Sequence, residues 1–305
     1  MIYMGSPDFA VLPLEKLVQA GHEIVAIFTQ PDKPRNRGKQ MQPTPVKAKG
    51  LELGLPVYAP AKINTPEQVE LIRSLQPELI VVVAYGKILK EEIFSLPPYG
   101  TVNIHASLLP KYRGAAPIHW AVINGEKESG VTIMYIEKGL DSGDMLLWEA
   151  CPIGPEEDTG SLHDRLSQMG ADLMIKAVDQ LAAGTVKPVP QDHTASTYAP
   201  LLTKELERID WHMPAEKLHD LIRGLSPWPG AYTLYKGKRL KIYESRVVAE
   251  KGEPGQLLHV EKDGFVVACG EGALHILSLQ PEGKSRMTGE AFVRGYPIAQ
   301  GEFLE

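Results

Sequence analysis

Leu79 to Ala84, reading Leu-Ile-Val-Val-Val-Ala, limits the possible folds of this chain more than any other stretch. A β-branched run without polar alternation does not suit a sheet with one wet face. It predicts a strand covered on both sides, as in a parallel sheet with helices above and below. The flanking sequence agrees. Met1 to Met4 is a second short apolar run, ended by Gly5, and Ser6-Pro7-Asp8 offers a turn with Asp8 as the expected N-cap of a helix to about Ala20. Gly21 stops that helix, and His22 to Thr29 reads as the next strand. Thr65-Pro66-Glu67-Gln68 opens a further helix, with Thr as N-cap, Pro at the first helical position and Gln in capping-box spacing. The β-α-β start lacks the G-x-G-x-x-G fingerprint, so a dinucleotide site has little support.

Ligands of open α/β sheets collect at the carboxyl ends of the strands. Three polar groups fall there. Asn103 and His105 lie two residues apart on the strand that starts at Thr101, so both side chains leave from one face. Asp141 sits in the loop Gly139-Leu140-Asp141-Ser142-Gly143-Asp144, after the apolar strand Val131 to Ile136. Tyr85-Gly86 ends the strand at 79–84 and belongs to the same rim. On residues alone, an Asn-x-His pair suits a structural role as well as a catalytic one. A metal reading through His105, Asp141 and His119 finds no Glu-x-x-His or Cys pair to support it, since His119 reads as part of a helix beginning near Ala116-Pro117. A serine triad through Ser107 lacks the G-x-S-x-G elbow.

At 305 residues the chain has room for two domains, and 43% apolar with 23% charged residues is an ordinary globular balance. A formal charge of −6 argues against attachment to nucleic acid through the overall field, while leaving room for local basic patches. Cys151 and Cys269 are too few and too far apart for a disulfide framework or a Cys-based zinc site. The start of the chain has no basic n-region, and no apolar run approaches the roughly 18 residues of a membrane span. A cytoplasmic location is expected.

One basic patch is the proline-rich stretch Pro31 to Pro45, which carries Lys33, Arg35, Arg37 and Lys39 against Asp32 alone. It reads as a protruding loop, either simply solvated or a finger that touches phosphates. Thr159 or Ser161 caps a long helix to about Ala183, whose apolar positions, including Leu162, Leu166 and Leu173, predict core packing; no function is assigned to Met169 or Met174. From Thr185 to about Arg208 periodicity is lost and prolines gather, as in a linker. Beyond a short amphipathic helix at Pro214 to Leu225, short strands alternate with turns, the pattern of a small antiparallel barrel. Acidic residues slightly outnumber basic ones there, yet Lys236, Lys238, Arg239, Lys241 and Arg246 share one hairpin. Trp211 and Trp228 are expected to pack at the domain junction. The expected division is a catalytic domain over 1–189, a linker over 190–208 and a barrel domain over 209–305.

Asn103-Ile104-His105-Ala106-Ser107-Leu108-Leu109-Pro110, Lys111 to Pro117 and Gly139 to Asp144, occurring together in this order, resemble the folate-dependent formyltransferases. Within that family, Gly5-Ser6-Pro7-Asp8-Phe9, the basic insertion from Pro31 to Lys39, and Ile209-Asp210-Trp211 with Trp228-Pro229-Gly230 are similar to the branch that acts on initiator methionyl-tRNA. Ser6 and Ser142 stand where Thr is usual, and Asn36 lies in a variable loop. The resemblance covers nearly the whole chain. It implies an α/β, Rossmann-like formyltransferase domain with a mostly parallel sheet, followed by a smaller C-terminal β-barrel of OB-like type. It implies transfer of a formyl group from 10-formyltetrahydrofolate to the α-amino group of methionine on the tRNA, with no metal, by a protein expected to be a monomer. Asn103 and protonated His105 would donate to the oxyanion of the tetrahedral intermediate, and Asp141 would sustain the His105 cation and help to take the amine proton. Ser107, Leu108, Leu109 and Pro110 would line the folate site with Tyr85 and Gly86 nearby. Lys33, Arg35, Arg37 and Lys39, with Lys236, Lys238 and Arg239 of the barrel, would meet the tRNA.

Overall fold

The computed structural model describes residues 1–35 and 40–305, with the side chains of Arg35 and Gln40 outside that description. In chain order the first elements are β1 (Ile2–Gly5), α1 (Val11–Gln19), β2 (Ala26–Phe28), β3 (Lys33–Arg35), β4 (Gln40–Gln42), α2 (Pro45–Glu52), β5 (Val57–Tyr58), α3 (Pro66–Ser74), β6 (Ile80–Val83) and α4 (Glu91–Phe94). There follow β7 (Thr101–His105), β8 (Arg113–Gly114), α5 (Pro117–Ile123), β9 (Glu128–Tyr135), β10 (Met145–Pro152), α6 (Thr159–Ala182) and β11 (Tyr198–Ala199). The remainder is α7 (Ala215–Gly224), β12 (Ala231–Tyr235), β13 (Lys238–Val248), β14 (Leu257–Val260), β15 (Phe265–Ala268), β16 (Ala273–Pro281), β17 (Met287–Thr288) and α8 (Gly289–Gly295).

Two compact units result. One comprises residues 1–114, 129–151 and 163–198; the other comprises 115–128, 152–162 and 199–305. The first is built on a seven-stranded sheet in the order β10-β9-β7-β6-β1-β2-β5. Strands β5, β2, β1, β6 and β7 run parallel, and β9 returns antiparallel to β7. As the apolar run at 79–84 requires, β6 is buried at every residue. Its Ile80 and Val82 share a core with Ile2, Met4, Ala26 and Phe28 and with residues on and beside α3 and α4, such as Ile72 and Ile93. On the opposite face α6 presses close enough that a Cβ on Gly170 would lie 2.7 Å from Ile104 Cγ2, so glycine is required there. Chain order reverses between β1 and β6, which makes a topological switch point at the carboxyl ends of those strands.

Three local expectations need correction. Asp8 opens a 3₁₀ turn, Asp8–Ala10, and the α1 N-cap is Ala10, because the chain must turn once more before its helix can lie on the sheet. The strand expected over His22 to Thr29 is only Ala26–Phe28, since β2 pairs with β1 through those three residues alone. Thr65 and Pro66 do start α3, but the Thr65 side chain caps no backbone amide.

The second unit contains the antiparallel sheet β12-β13-β16-β15-β14, with β17 beside β16. A tail after α8 joins its two outer strands. Leu257 N donates to Glu302 O at 2.8 Å and Leu304 N to Gly255 O at 2.9 Å, while Leu234 and Glu305 exchange backbone bonds of 3.1 and 2.9 Å. The residues at 302–305 thus act as the stave that closes the barrel, and Leu304 is buried in its core with Trp211, Leu257 and Phe292. Glu302 is held there by Lys236 at 2.8 Å and by the Tyr235 hydroxyl at 2.5 Å. The hydrogen bond from Lys236 is the main cause that lowers the Glu302 pKa to about 2. This pairing stabilises the closed barrel at neutral pH and is lost as pH falls from the ordinary 4.5 toward 2. Among the described residues no helix is long and apolar enough to cross a membrane. Because Leu304 is enclosed in the barrel core, Leu304→Ala is expected to cost the barrel about 2–5 kcal/mol, read as a lower urea midpoint by tryptophan fluorescence.

Candidate active site

Asn103 and His105 belong to β7, where Asn103 is in register with Val82 of β6 and both residues point to the face covered by α3 and α4. On that face Thr101 is sealed under α4, its hydroxyl donating to Phe94 O at 2.9 Å. Two residues along the strand, Asn103 is only partly buried. Its carboxamide makes no hydrogen bond among those described for the protein, which leaves it free to meet a ligand.

His105 is held from both sides. Its side chain is 6% exposed, Nε2 lies 2.9 Å from the Tyr112 carbonyl and Nδ1 lies 3.7 Å from Asp141 Oδ2. A carbonyl only accepts, so Nε2 carries a proton and donates it to Tyr112. Nδ1 is then the ring atom that can take up or release a proton beside the carboxylate. Asp141 in turn accepts from the Gly114 amide at 2.8 Å.

The backbone around these groups is strained in a localised way. Of the five non-glycine residues with positive φ among those described, Ala84 (45°), Tyr112 (60°) and Asp141 (48°) all lie at this rim. Such conformations persist only where the surroundings enforce them. For Asp141 the enforcement comes from Gln191, whose Nε2 donates to the carbonyls of Asp141 at 2.9 Å and Gly143 at 2.8 Å. The Oε1 of the same amide accepts from Arg113 Nε and Nη2 at 3.1 and 2.6 Å, and Arg113 also meets His193 Nδ1 at 3.0 Å. Arg113 and Gln191 are 4% and 5% exposed, so this is a buried clamp. Tyr112 is pinned by Thr197, whose hydroxyl accepts from the Tyr112 amide at 2.9 Å.

Ser107 to Pro110 form a turn against β9. Buried Thr132 accepts from the Leu109 amide at 3.2 Å and donates to Ser107 O at 2.7 Å, and the Ser107 hydroxyl closes the turn onto Lys111 O at 2.6 Å. With its hydroxyl spent on that bond, Ser107 is no nucleophile. The Tyr85 ring is core, 1% exposed, and burial raises its phenol to about 12, so it remains neutral and does no proton transfer at working pH. What Tyr85 and Gly86 present is backbone: Ser6 Oγ donates to Tyr85 O at 3.2 Å, and Gln30 Nε2 donates to Tyr85 O and Gly86 O at 3.0 and 3.2 Å. His119 lies elsewhere, in α5 of the second unit, with Nδ1 2.8 Å from Gly224 O.

Among the basic residues, Lys33 is exposed on β3. Arg35 belongs to the same strand, and Arg37 and Lys39 lie outside the described residues. In the barrel, Lys236 is engaged by Glu302, the Arg239 guanidinium sits 4.1 Å above the Tyr232 ring, and Lys238 is exposed. Trp211 is buried, its indole donating to Thr233 Oγ1 at 3.0 Å, whereas Trp228 is 46% exposed.

A carboxamide, an imidazole with one committed and one available nitrogen, and a carboxylate at a switch point are the groups needed to stabilise an oxyanion and move one proton. The sequence matches the formyl transferase model over residues 1–178 and the model of the formyl transferase C-terminal domain over residues 201–297. The chain belongs to the formyl transferase family. Methionyl-tRNA formyltransferase of Moorella thermoacetica is 52% identical over 306 residues, which span 100% of this chain and 98% of that protein. Among solved structures, an N-formyltransferase from Helicobacter canadensis in complex with folinic acid and dTDP-3-aminofucose has a TM-score of 0.68 at 20% identity, covering 90% of this chain and 99% of its own. HypX from Aquifex aeolicus in complex with tetrahydrofolic acid has a TM-score of 0.66 at 19% identity; this chain, covered in full, spans 50% of its length. At those identities the two structures speak for the fold alone.

Gln191, Thr132 and Thr197 escaped the sequence reading, and Arg113 entered it only as part of the Lys111 to Pro117 motif, without a role. Gln191 and Thr197 stand in a stretch read as a linker, where only the break in periodicity was visible. A clamp of this kind predicts that Gln191→Leu destabilises the first unit by about 3 kcal/mol, because Arg113 and two carbonyls lose a buried partner. With Asp141 released, kcat for formyl transfer is expected to fall about 10²-fold with a smaller change in KM, and Gln191→Glu, which still accepts from Arg113, is expected to recover part of the loss.

Proposed function

We propose that this chain transfers the formyl group of 10-formyltetrahydrofolate to the α-amino group of methionine on initiator methionyl-tRNA, for translation initiation. The observation that carries the reading is the conjunction of the Asn103, His105 and Asp141 groups with full-length identity of 52% to a protein of that name. In this reading the amine attacks the formyl carbon and a tetrahedral intermediate forms with its charge on oxygen. Asn103 Nδ2 donates to that oxygen, as does His105 when Nδ1 is protonated, while the Nε2 bond to Tyr112 keeps the ring in place. Asp141, beside Nδ1, balances the imidazolium and receives the proton leaving the amine, directly or through water. Collapse of the intermediate breaks the bond to the folate nitrogen, which takes up a proton.

The Ser107–Pro110 turn and the Tyr85-Gly86 backbone line the folate site, a role supported by their position on the carboxyl rim of the sheet. Residues 1–189 carry the formyl chemistry together with Gln191 and Thr197, which makes the first part of the expected 190–208 linker a working part of the site, and 209–305 hold the tRNA. Lys33, Arg35, Arg37 and Lys39 approach the acceptor end of the tRNA, and Lys236, Lys238 and Arg239 meet its backbone. Because Lys236 is already paired with Glu302, Lys238 and Arg239 make the larger contribution from the barrel. The protein works as a cytoplasmic monomer.

The deciding assay offers 10-formyltetrahydrofolate with methionyl-tRNA, with free methionine and a sugar-nucleotide amine as control acceptors. Formylation of the charged tRNA is expected, and preference for either control would overturn the reading. Asn103→Ala and His105→Ala are each expected to lower kcat by about 10²- to 10³-fold with an unchanged melting profile; near-normal turnover would remove them from the chemistry. Arg37→Ala is expected to raise KM for the tRNA and flatten its salt dependence while leaving folate binding unchanged.

A further inference from the structure

The hairpin joining β14 to β15 gathers acids around a histidine that the formyl chemistry does not use. His275, on β16, is 6% exposed, and its Nε2 is buried with no hydrogen-bond partner. Leaving such a nitrogen unmatched costs about 1–3 kcal/mol, so its surroundings call for an explanation. Nε2 points at two carboxylates of the hairpin turn, Glu261 Oε2 at 3.6 Å and Asp263 Oδ1 at 3.4 Å, neither of which hydrogen-bonds to it. The three ligand atoms lie within 4.8 Å of one another.

We propose that Glu261, Asp263 and His275 form a binding site for one divalent first-row transition ion of the zinc or cobalt class. Distances support this. With metal–ligand bonds of about 2.0–2.1 Å, a tetrahedral centre separates its ligand atoms by about 3.4 Å, close to the two separations observed here. Charge supports it as well, since two carboxylates and a neutral imidazole balance a dication. A nitrogen donor beside two oxygens favours zinc, cobalt or nickel over magnesium and calcium, which prefer oxygen throughout. With three protein ligands the remaining positions fall to water.

The outer groups are arranged to hold the carboxylate in place. His259 Nδ1 lies 3.5 Å from Glu261 Oε1, and its Nε2 lies 2.8 Å from Glu250. This Glu250-His259-Glu261 chain orients one ligand from behind, as partners of metal-bound groups commonly do. Glu261 N donates to Gly264 O at 2.9 Å and closes the turn. Glycine is required at 264, since a Cβ there would lie 2.1 Å from Ile276 O and 3.0 Å from His275 Nε2. The side chains of Glu261 and Asp263 are 44% and 65% exposed, so an ion can enter from solvent. Bound there, it would tie the β14–β15 turn to β16 and stiffen the barrel without touching the reaction.

The untagged full chain, stripped with EDTA, is titrated with Co²⁺ and followed by visible ligand-field absorption, then challenged with Zn²⁺. One Co²⁺ per chain is expected, displaced by Zn²⁺, with a rise in melting temperature on Zn²⁺ addition. The double variant Glu261→Gln, Asp263→Asn alters two exposed side chains, and its folding is checked by circular dichroism; it is expected to lose the absorption. Glu250→Gln is expected to weaken binding by about tenfold or more through His259. Absence of ligand-field bands in the wild-type chain, or bands unchanged in the double variant, would overturn the assignment.

Discussion

One side-chain amide holds the active rim together. Gln191 donates to the carbonyls of Asp141 and Gly143 and accepts from Arg113, so a single carboxamide fixes the loop after β9 against the loop after β7. The buried guanidinium enforces this arrangement, since an unpaired charge in the interior is far more costly than the order imposed on the loops. Asp141 can then persist at a φ of 48° with its carboxylate turned toward His105. Remove the clamp and the strained loop has every reason to relax.

The rim also separates two kinds of residue that look alike in sequence. Thr132, Thr197, Ser6 and Gln30 use their hydroxyls and amides to satisfy backbone groups. Asn103 differs because it is partly exposed and its carboxamide makes no hydrogen bond among those described for the protein. A polar group left without a protein partner at the edge of an ordered site is poised to bind something else, and an oxyanion suits an N–H donor. His105 combines both roles, with Nε2 held by Tyr112 and Nδ1 available.

The barrel unit solves a different problem. Five antiparallel strands leave two open edges, a hazard for any small sheet. The tail at 302–305 pairs with both, and Lys236 and Tyr235 fasten it through Glu302. Part of the basic hairpin is therefore structural, and its positive charge toward solvent is smaller than the count of cations suggests.

Local sequence determined a good deal. The apolar run at 79–84 required a sheet covered on both faces, the spacing of Asn103 and His105 put them on one side of a strand, and the turn-separated runs after Ala231 predicted the antiparallel strands. All of these follow from periodicity, which acts over a few residues. The loop after the strand at Val131 to Ile136 brought in the third group, Asp141, and family resemblance, carried by short ordered motifs, named the chemistry. Tertiary structure alone decided which nitrogen of His105 is committed, that a stretch without periodicity supplies Gln191 and Thr197, that the last four residues close a barrel, and that His275 faces Glu261 and Asp263. Each of these joins residues distant in the chain through hydrogen bonds or charge, and such pairings leave no periodic trace in sequence because they are selected only when the folded backbone brings the partners within a few ångströms.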